Sequence, residues 1–286
     1  MHFFLYFIPI SIKHNKKMKK LLSLWITVVI ILFQVHVSEA CTGITLTTKD
    51  NSMILARTIE WGGSDLNSQY VVVPRGYEQY SYIPGGERSG MKFTARYGYI
   101  GLSVEQKEFV AEGLNEAGLS AGLFYFPGYG RYEDYDSKLK DSSIADLQLV
   151  SWILGNFSTV DEAMKAIKKI HIVPIDPRAS TVHWRMADIT GKQIIEAVIQ
   201  SFHILNNFDI PIGIEFSESE TPTDIPSATQ WTSSTDLTHR VIYYRTMYNS
   251  DIRCIDLKAI DFNRVKYQAV PLDLIKQQPI QPVRIN

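Results

Sequence analysis

Residues 41–63 read CTGITLTTKDNSMILARTIEWGG. Cys41 to Thr48 alternates apolar and polar side chains as a half-buried strand does. Lys49-Asp50-Asn51 is turn chemistry, and Ser52 to Thr58 forms a second strand. A hairpin of that length brings Arg57, Glu60 and Trp61 back toward the start of the first strand. Each has a use beside a thiol. The positive charge of Arg57 favours a thiolate. Glu60 can hold an amine through a charge-assisted hydrogen bond. A surface ion pair beside a core tryptophan is the plainer account of the same residues.

What precedes Cys41 sharpens the choice. Residues 18–40 read MKKLLSLWITVVIILFQVHVSEA, with Met18-Lys19-Lys20 as a positive start, an apolar run from Leu21 to Phe33, and small residues at Ser38 and Ala40. This is the pattern of a secretory signal. The run is short for a membrane span, which needs about 20 apolar residues. Residues 1–17 carry a separate apolar run, His2 to Ile12, and read as an extension ahead of a second start at Met18. Cleavage after Ala40 makes Cys41 the first residue of an exported chain. Acylation of that cysteine, as in a lipoprotein, fits poorly with Glu39 beside the cut. The other outcome is a free α-amine, whose ordinary pKa is about 7.7–8.0 beside a thiol near 8.5. One residue then carries a nucleophile and its own base, an arrangement used in acyl transfer. A disulfide between Cys41 and Cys254 competes with it on equal terms, since an exported protein meets an oxidising compartment.

Composition narrows the class further. The chain has 286 residues, 29 Lys and Arg against 30 Asp and Glu, and a formal net charge of -1, so no basic footprint for nucleic acid. Apolar residues at 45% and charged residues at 21% suit a folded globular domain. Two cysteines exclude a disulfide framework. The seven histidines are scattered without zinc-like spacing, and no glycine-rich phosphate loop is present, so neither a metal nor another cofactor is expected. His183 reads as a strand histidine beside Trp184.

Farther along, Ser142 to Leu154 has a helical apolar stripe ending at Gly155. Thr159-Val160-Asp161-Glu162 is a capping box opening a second helix that runs to Ile170, with Val160, Ala163, Met164, Ile167 and Ile170 facing the core. Strands are expected over Thr181–Ile189 and Gln193–Gln200, joined at Thr190-Gly191, then near Thr229–Ser233, Arg240–Thr246 and Arg253–Leu257. Glu215 to Pro226 reads as a loop and 268–286 as a tail. Helices within a run of antiparallel hairpins make an α+β fold, with helices packed on antiparallel sheets.

The Cys-Thr-Gly opening after a signal, the arginine sixteen residues on and the acidic-Trp pair just beyond it resemble the choloylglycine hydrolase family. That family holds bile salt hydrolases and penicillin V acylases among the N-terminal nucleophile hydrolases. Further matches are Pro74-Arg75-Gly76, Glu112 to Leu119, Phe126-Pro127-Gly128-Tyr129, Val182-His183-Trp184, Thr232-Ser233 and Val241 to Tyr244. The resemblance implies an αββα sandwich formed by one domain over 41–286. It implies Cys41 as nucleophile, Arg57 beside it, Glu60 where the family usually has Asp, and Tyr125 at the oxyanion hole, with Trp61 toward the substrate. It implies a small-molecule N-acyl amide as substrate: penicillin V, a conjugated bile salt or an N-acyl homoserine lactone. A homo-oligomer is compatible with it, as is a chain with no membrane span once the signal is removed. The family's Thr-Asn-x-Pro and Ser-Arg-Phe segments are not found, as if a block had been lost near residue 200. A catalytically inactive remnant, acting as an exported binding protein or lipoprotein, is the alternative.

Overall fold

A computed structural model describes residues 41–47, 53–61, 65–125, 132–176, 182–188, 195–210, 228–280 and 282. The opening hairpin forms with β1 (Gly43–Thr47) against β2 (Met53–Trp61), Gly43 facing Arg57 and Thr47 facing Met53. The expected turn at 49–51, the signal, the 126–129 segment and the 215–226 loop lie outside the described residues.

β2 is buried along its length except at its two ends, as a strand covered on both faces should be. Its second neighbour is β12 (Ala228–Asp236), with Arg57 opposite Ser233 and Glu60 opposite Thr229. β13 (Val241–Thr246) and β14 (Asn249–Asp256) complete a five-stranded antiparallel sheet in the order β1-β2-β12-β13-β14.

The second sheet has six antiparallel strands. They are β3 (Gln69–Val73), β6 (Tyr99–Ser103), β7 (Val110–Asn115), β8 (Ser120–Tyr125), β11 (Val182–Ala187) and β15 (Gln268–Pro271), ordered β11-β8-β7-β6-β3-β15. The β7–β8 hairpin turns at Gly118, whose φ of 96° suits glycine. Two short pairs accompany the sheets, β4 (Glu78–Tyr80) with β5 (Lys92–Thr94) and β9 (Ser143–Ala145) with β10 (His171–Val173).

Leu55, Ile59 and Trp231 of the first sheet and Val71, Ile100, Leu114 and Leu123 of the second belong to one buried apolar cluster. Helix α1 (Leu149–Asn156) covers the outer face of the six-stranded sheet, where the Asn115 side chain donates to the Leu154 carbonyl at 2.9 Å. Helix α2 (Val160–Ile167) follows it. Helix α3 (Ile195–Leu205) covers the outer face of the five-stranded sheet, burying Val198 and Phe202 against Ile54. The layers are helix, sheet, sheet, helix, the αββα sandwich expected.

Several elements differ from the sequence reading. The helix expected from Ser142 begins at Leu149, because Ser143–Ala145 pairs with His171–Val173 as a parallel strand. Of the strand expected over Gln193–Gln200, the described part from Ile195 is instead the start of α3; Val198, Phe202 and Leu205 recur at helical spacing and are buried on one side. Part of the expected tail is β15, paired with β3 at the edge of its sheet. Met164, expected in the core, is 46% exposed, because α2 buries only Ala163 fully.

Candidate active site

Thr42 is fastened to Thr58 in both directions. The Thr58 amide donates to the Thr42 carbonyl at 2.9 Å, and the Thr42 amide donates to the Thr58 hydroxyl at 3.3 Å. This fixes Cys41, which is half-buried, at the mouth of the hairpin. Cys41, Glu60, Trp61 and Tyr125 line one narrow cleft, whose apolar walls include Leu66, Phe109 and Leu123 and whose free volume is about 60 Å3. The Trp61 and Tyr125 rings meet edge to face, centroids 5.8 Å apart. Four of the five residues singled out from sequence therefore converge.

Glu60 is buried, and one carboxylate oxygen accepts from the Thr229 hydroxyl at 3.0 Å. The Thr229 oxygen in turn accepts from the Ile210 amide at 2.9 Å. β12 breaks register between Thr229 and Trp231, a bulge of the kind that re-aims side chains next to functional sites. Among the described residues, the second carboxylate oxygen of Glu60 is buried without a hydrogen-bond partner. Burial pushes the Glu60 carboxyl above its ordinary pKa, opposed by the Thr58 and Thr229 hydroxyls and the charge of Arg57. An unpaired buried carboxylate oxygen is costly.

Arg57, the fifth residue, is not among those lining the cleft. It is fully buried between the sheets. Its guanidinium donates to the carbonyls of Thr58 at 3.2 Å, Ala111 at 3.1 Å and Leu123. Its charge lies over the Phe124 ring at 4.3 Å and 3.8 Å from a Glu112 oxygen. Cys254 is exposed on β14 opposite Tyr243, and both cysteines are free, so the competing disulfide is not formed. Among the described residues, no cluster of three or more His, Cys, Asp or Glu could hold a metal ion. No described helix is long and apolar enough to cross a membrane.

The sequence profile described as "Linear amide C-N hydrolases, choloylglycine hydrolase family" matches residues 41–198 and 195–268. The chain belongs to the choloylglycine hydrolase family. The two matched segments meet at the start of α3. A bile salt hydrolase/transferase from Clostridium perfringens is 32% identical over 180 residues, which is 61% of this chain and 52% of that relative. The chain thus spans about half the length of the curated relatives it matches. A mutant conjugated bile acid hydrolase from Clostridium perfringens has a similar fold, with a TM-score of 0.66 at 21% identity, covering 86% of this chain and 100% of that structure. Penicillin V acylase from Agrobacterium tumefaciens gives a TM-score of 0.64 at 20% identity, covering 82% and 92%.

Some polar residues of this choloylglycine hydrolase family member carried no functional signal in the sequence. Glu112 is 1% exposed and flanked by Arg57 and by Arg185. Burial raises the pKa of its carboxyl, against the pull of the two guanidiniums, Arg185 foremost. Asp146 is buried beside Leu147, which lines the cleft. One of its oxygens accepts from the Leu147 amide at 2.9 Å. Glu112 stood inside a family-like stretch and Arg185 one residue after Trp184. A charged residue in a strand flanked by apolar ones was the only hint.

Proposed function

We propose that the chain is exported on the signal at 18–40 and, after cleavage behind Ala40, hydrolyses linear amides with Cys41 as nucleophile. The observation that supports this is the convergence of Cys41, Glu60, Trp61 and Tyr125 on one apolar cleft. An α-ammonium on Cys41 would take the Glu60 carboxylate as its partner, forming a charge-assisted hydrogen bond. The substrate class is an N-acyl amide with an apolar acyl part, penicillin V or a conjugated bile salt, whose apolar end would pack on Trp61 and Tyr125.

The α-amine takes the thiol proton and the sulfur attacks the amide carbonyl. Backbone N–H groups and the Tyr125 hydroxyl hold the negative oxygen; one such donor is worth about 10²–10³ in rate. The protonated α-amine then gives its proton to the departing nitrogen, breaking the C–N bond and leaving a thioester on Cys41. Water, deprotonated by the same amine, attacks the thioester. The acid leaves and the thiol is restored.

The test is release of 6-aminopenicillanic acid from penicillin V and of glycine from glycocholate by the matured protein, with Cys41→Ala as control. Release by wild type, falling at least 10³-fold in Cys41→Ala, is expected for a nucleophile acting covalently. Equal release by both proteins overturns the reading. No release by a wild-type protein whose first residue is a free Cys41 returns the chain to the class of inactive binding proteins.

A further inference from the structure

Three charged side chains from three strands meet between the sheets, and the mechanism above uses none of them. One oxygen of Glu112, on β7, lies 3.8 Å from Arg57 of β2; the other lies 3.6 Å from Arg185 of β11. The Phe124 ring lies against both guanidiniums, at 4.3 Å from Arg57 and 5.1 Å from Arg185. Arg185 reaches from the edge of the six-stranded sheet to the other sheet, donating to the carbonyls of Ile44 at 3.2 Å and Ala56 at 3.5 Å. A Cβ on Gly43 would sit 3.3 Å from its Nη1. Gly43 is two residues from Cys41, so at no more than about 3.6 Å of chain per residue the Arg185 charge lies within roughly 15 Å of the sulfur.

The fold makes room for this group. A Cβ on Gly122 would fall 2.2 Å from a Glu112 oxygen. Stability alone explains it poorly, since apolar replacements of buried ion triads are often neutral or stabilising. Its charge is more telling. With Arg185 the group carries one excess positive charge; without it, Arg57 and Glu112 cancel.

We propose that Glu112 and Arg185 are positioning residues that hold the Arg57 guanidinium and set the positive field reaching the Cys41 sulfur. This rests on Cys41 being the nucleophile. The other charged and titratable groups facing the site are Glu60, Glu105, Asp176 and Tyr125 in the cleft and His183 stacked on Phe124 at 5.6 Å. They are left unchanged throughout the comparison.

The test measures alkylation of Cys41 by iodoacetamide against pH in the matured protein, read by the mass of the Cys41 peptide, with exposed Cys254 as internal reference. Glu112→Gln removes the negative charge, and the midpoint is expected to fall by about one pH unit; Arg185→Met removes a positive charge, and the midpoint is expected to rise by a similar amount. Arg185→Lys keeps the charge and stays near wild type. A merely structural role would not move the two neutralising variants in opposite directions. Should Glu112→Gln not fold, equal midpoints for Arg185→Met and Arg185→Lys overturn the proposal. Unmoved midpoints around a lowered wild-type value overturn it too. A wild-type Cys41 titrating like Cys254 instead overturns the nucleophile reading beneath it.

Discussion

Asp146 is a carboxyl whose proton is held by its surroundings. Burial pushes its pKa up to about 7, against hydrogen bonds from the Leu147 and Ile175 amides and with the charge of Asp176 adding to the rise. The folded value lies above the unfolded one, so the folded state favours the protonated form. That advantage is complete below about pH 4 and is lost as the pH climbs to about 7. Asp146→Asn is therefore expected to flatten this part of the pH dependence. It should be more stable than wild type at pH 8 by about 1–4 kcal/mol, and nearly equal to it below pH 4, as urea unfolding at the two pH values would show. Gly122→Ala forces a methyl toward the Glu112 carboxylate and is expected to cost about 1–3 kcal/mol in the same measurement. These two residues also mark where sequence reading stops. Cys41, Glu60 and Trp61 were legible because one hairpin brings them together. Arg57, read from the sequence as a charge near the thiol, is enclosed between the sheets and does not line the cleft. The importance of Asp146, Glu112 and Arg185 depends on neighbours contributed by distant strands, and no spacing along the chain encodes them.

The elements divide in the same way. The capping box was readable because it is local: the Thr159 hydroxyl accepts from the Glu162 amide at 3.3 Å. Glu162 reaches back one residue farther than expected, accepting from the Ser158 amide at 2.9 Å. Thr159→Ala is expected to lower stability by about 1 kcal/mol, seen as a lower midpoint in urea with an unchanged slope. The helix of 195–205 was misread because its opening residues, Ile-Glu-Ala-Val-Ile, are rich in β-branched side chains. Tertiary burial of Val198 and Phe202 on the five-stranded sheet overrides that preference. Ser143–Ala145 went the other way, taken from a helical pattern by a parallel partner 28 residues later in the chain.

At the scale of the molecule, the two sheets cohere through packing and buried polar contacts, with no covalent clasp. Cys41 and Cys254 are both free. Thermal unfolding with and without a reductant is expected to give the same midpoint, and a drop on reduction would show a cross-link. The antiparallel sandwich was legible from the spacing of hairpins, but strand order was not. β2 is joined to β12 across more than 160 residues, while strands from between them make most of the other sheet. A ribosome must therefore have released residues past 228 before the hairpin that follows Cys41 gains its inner neighbour. Until then one flank of β2 lacks its backbone partners, and the nascent protein carries an open seam. Folding should be slow for the chain's size, governed by that late closure.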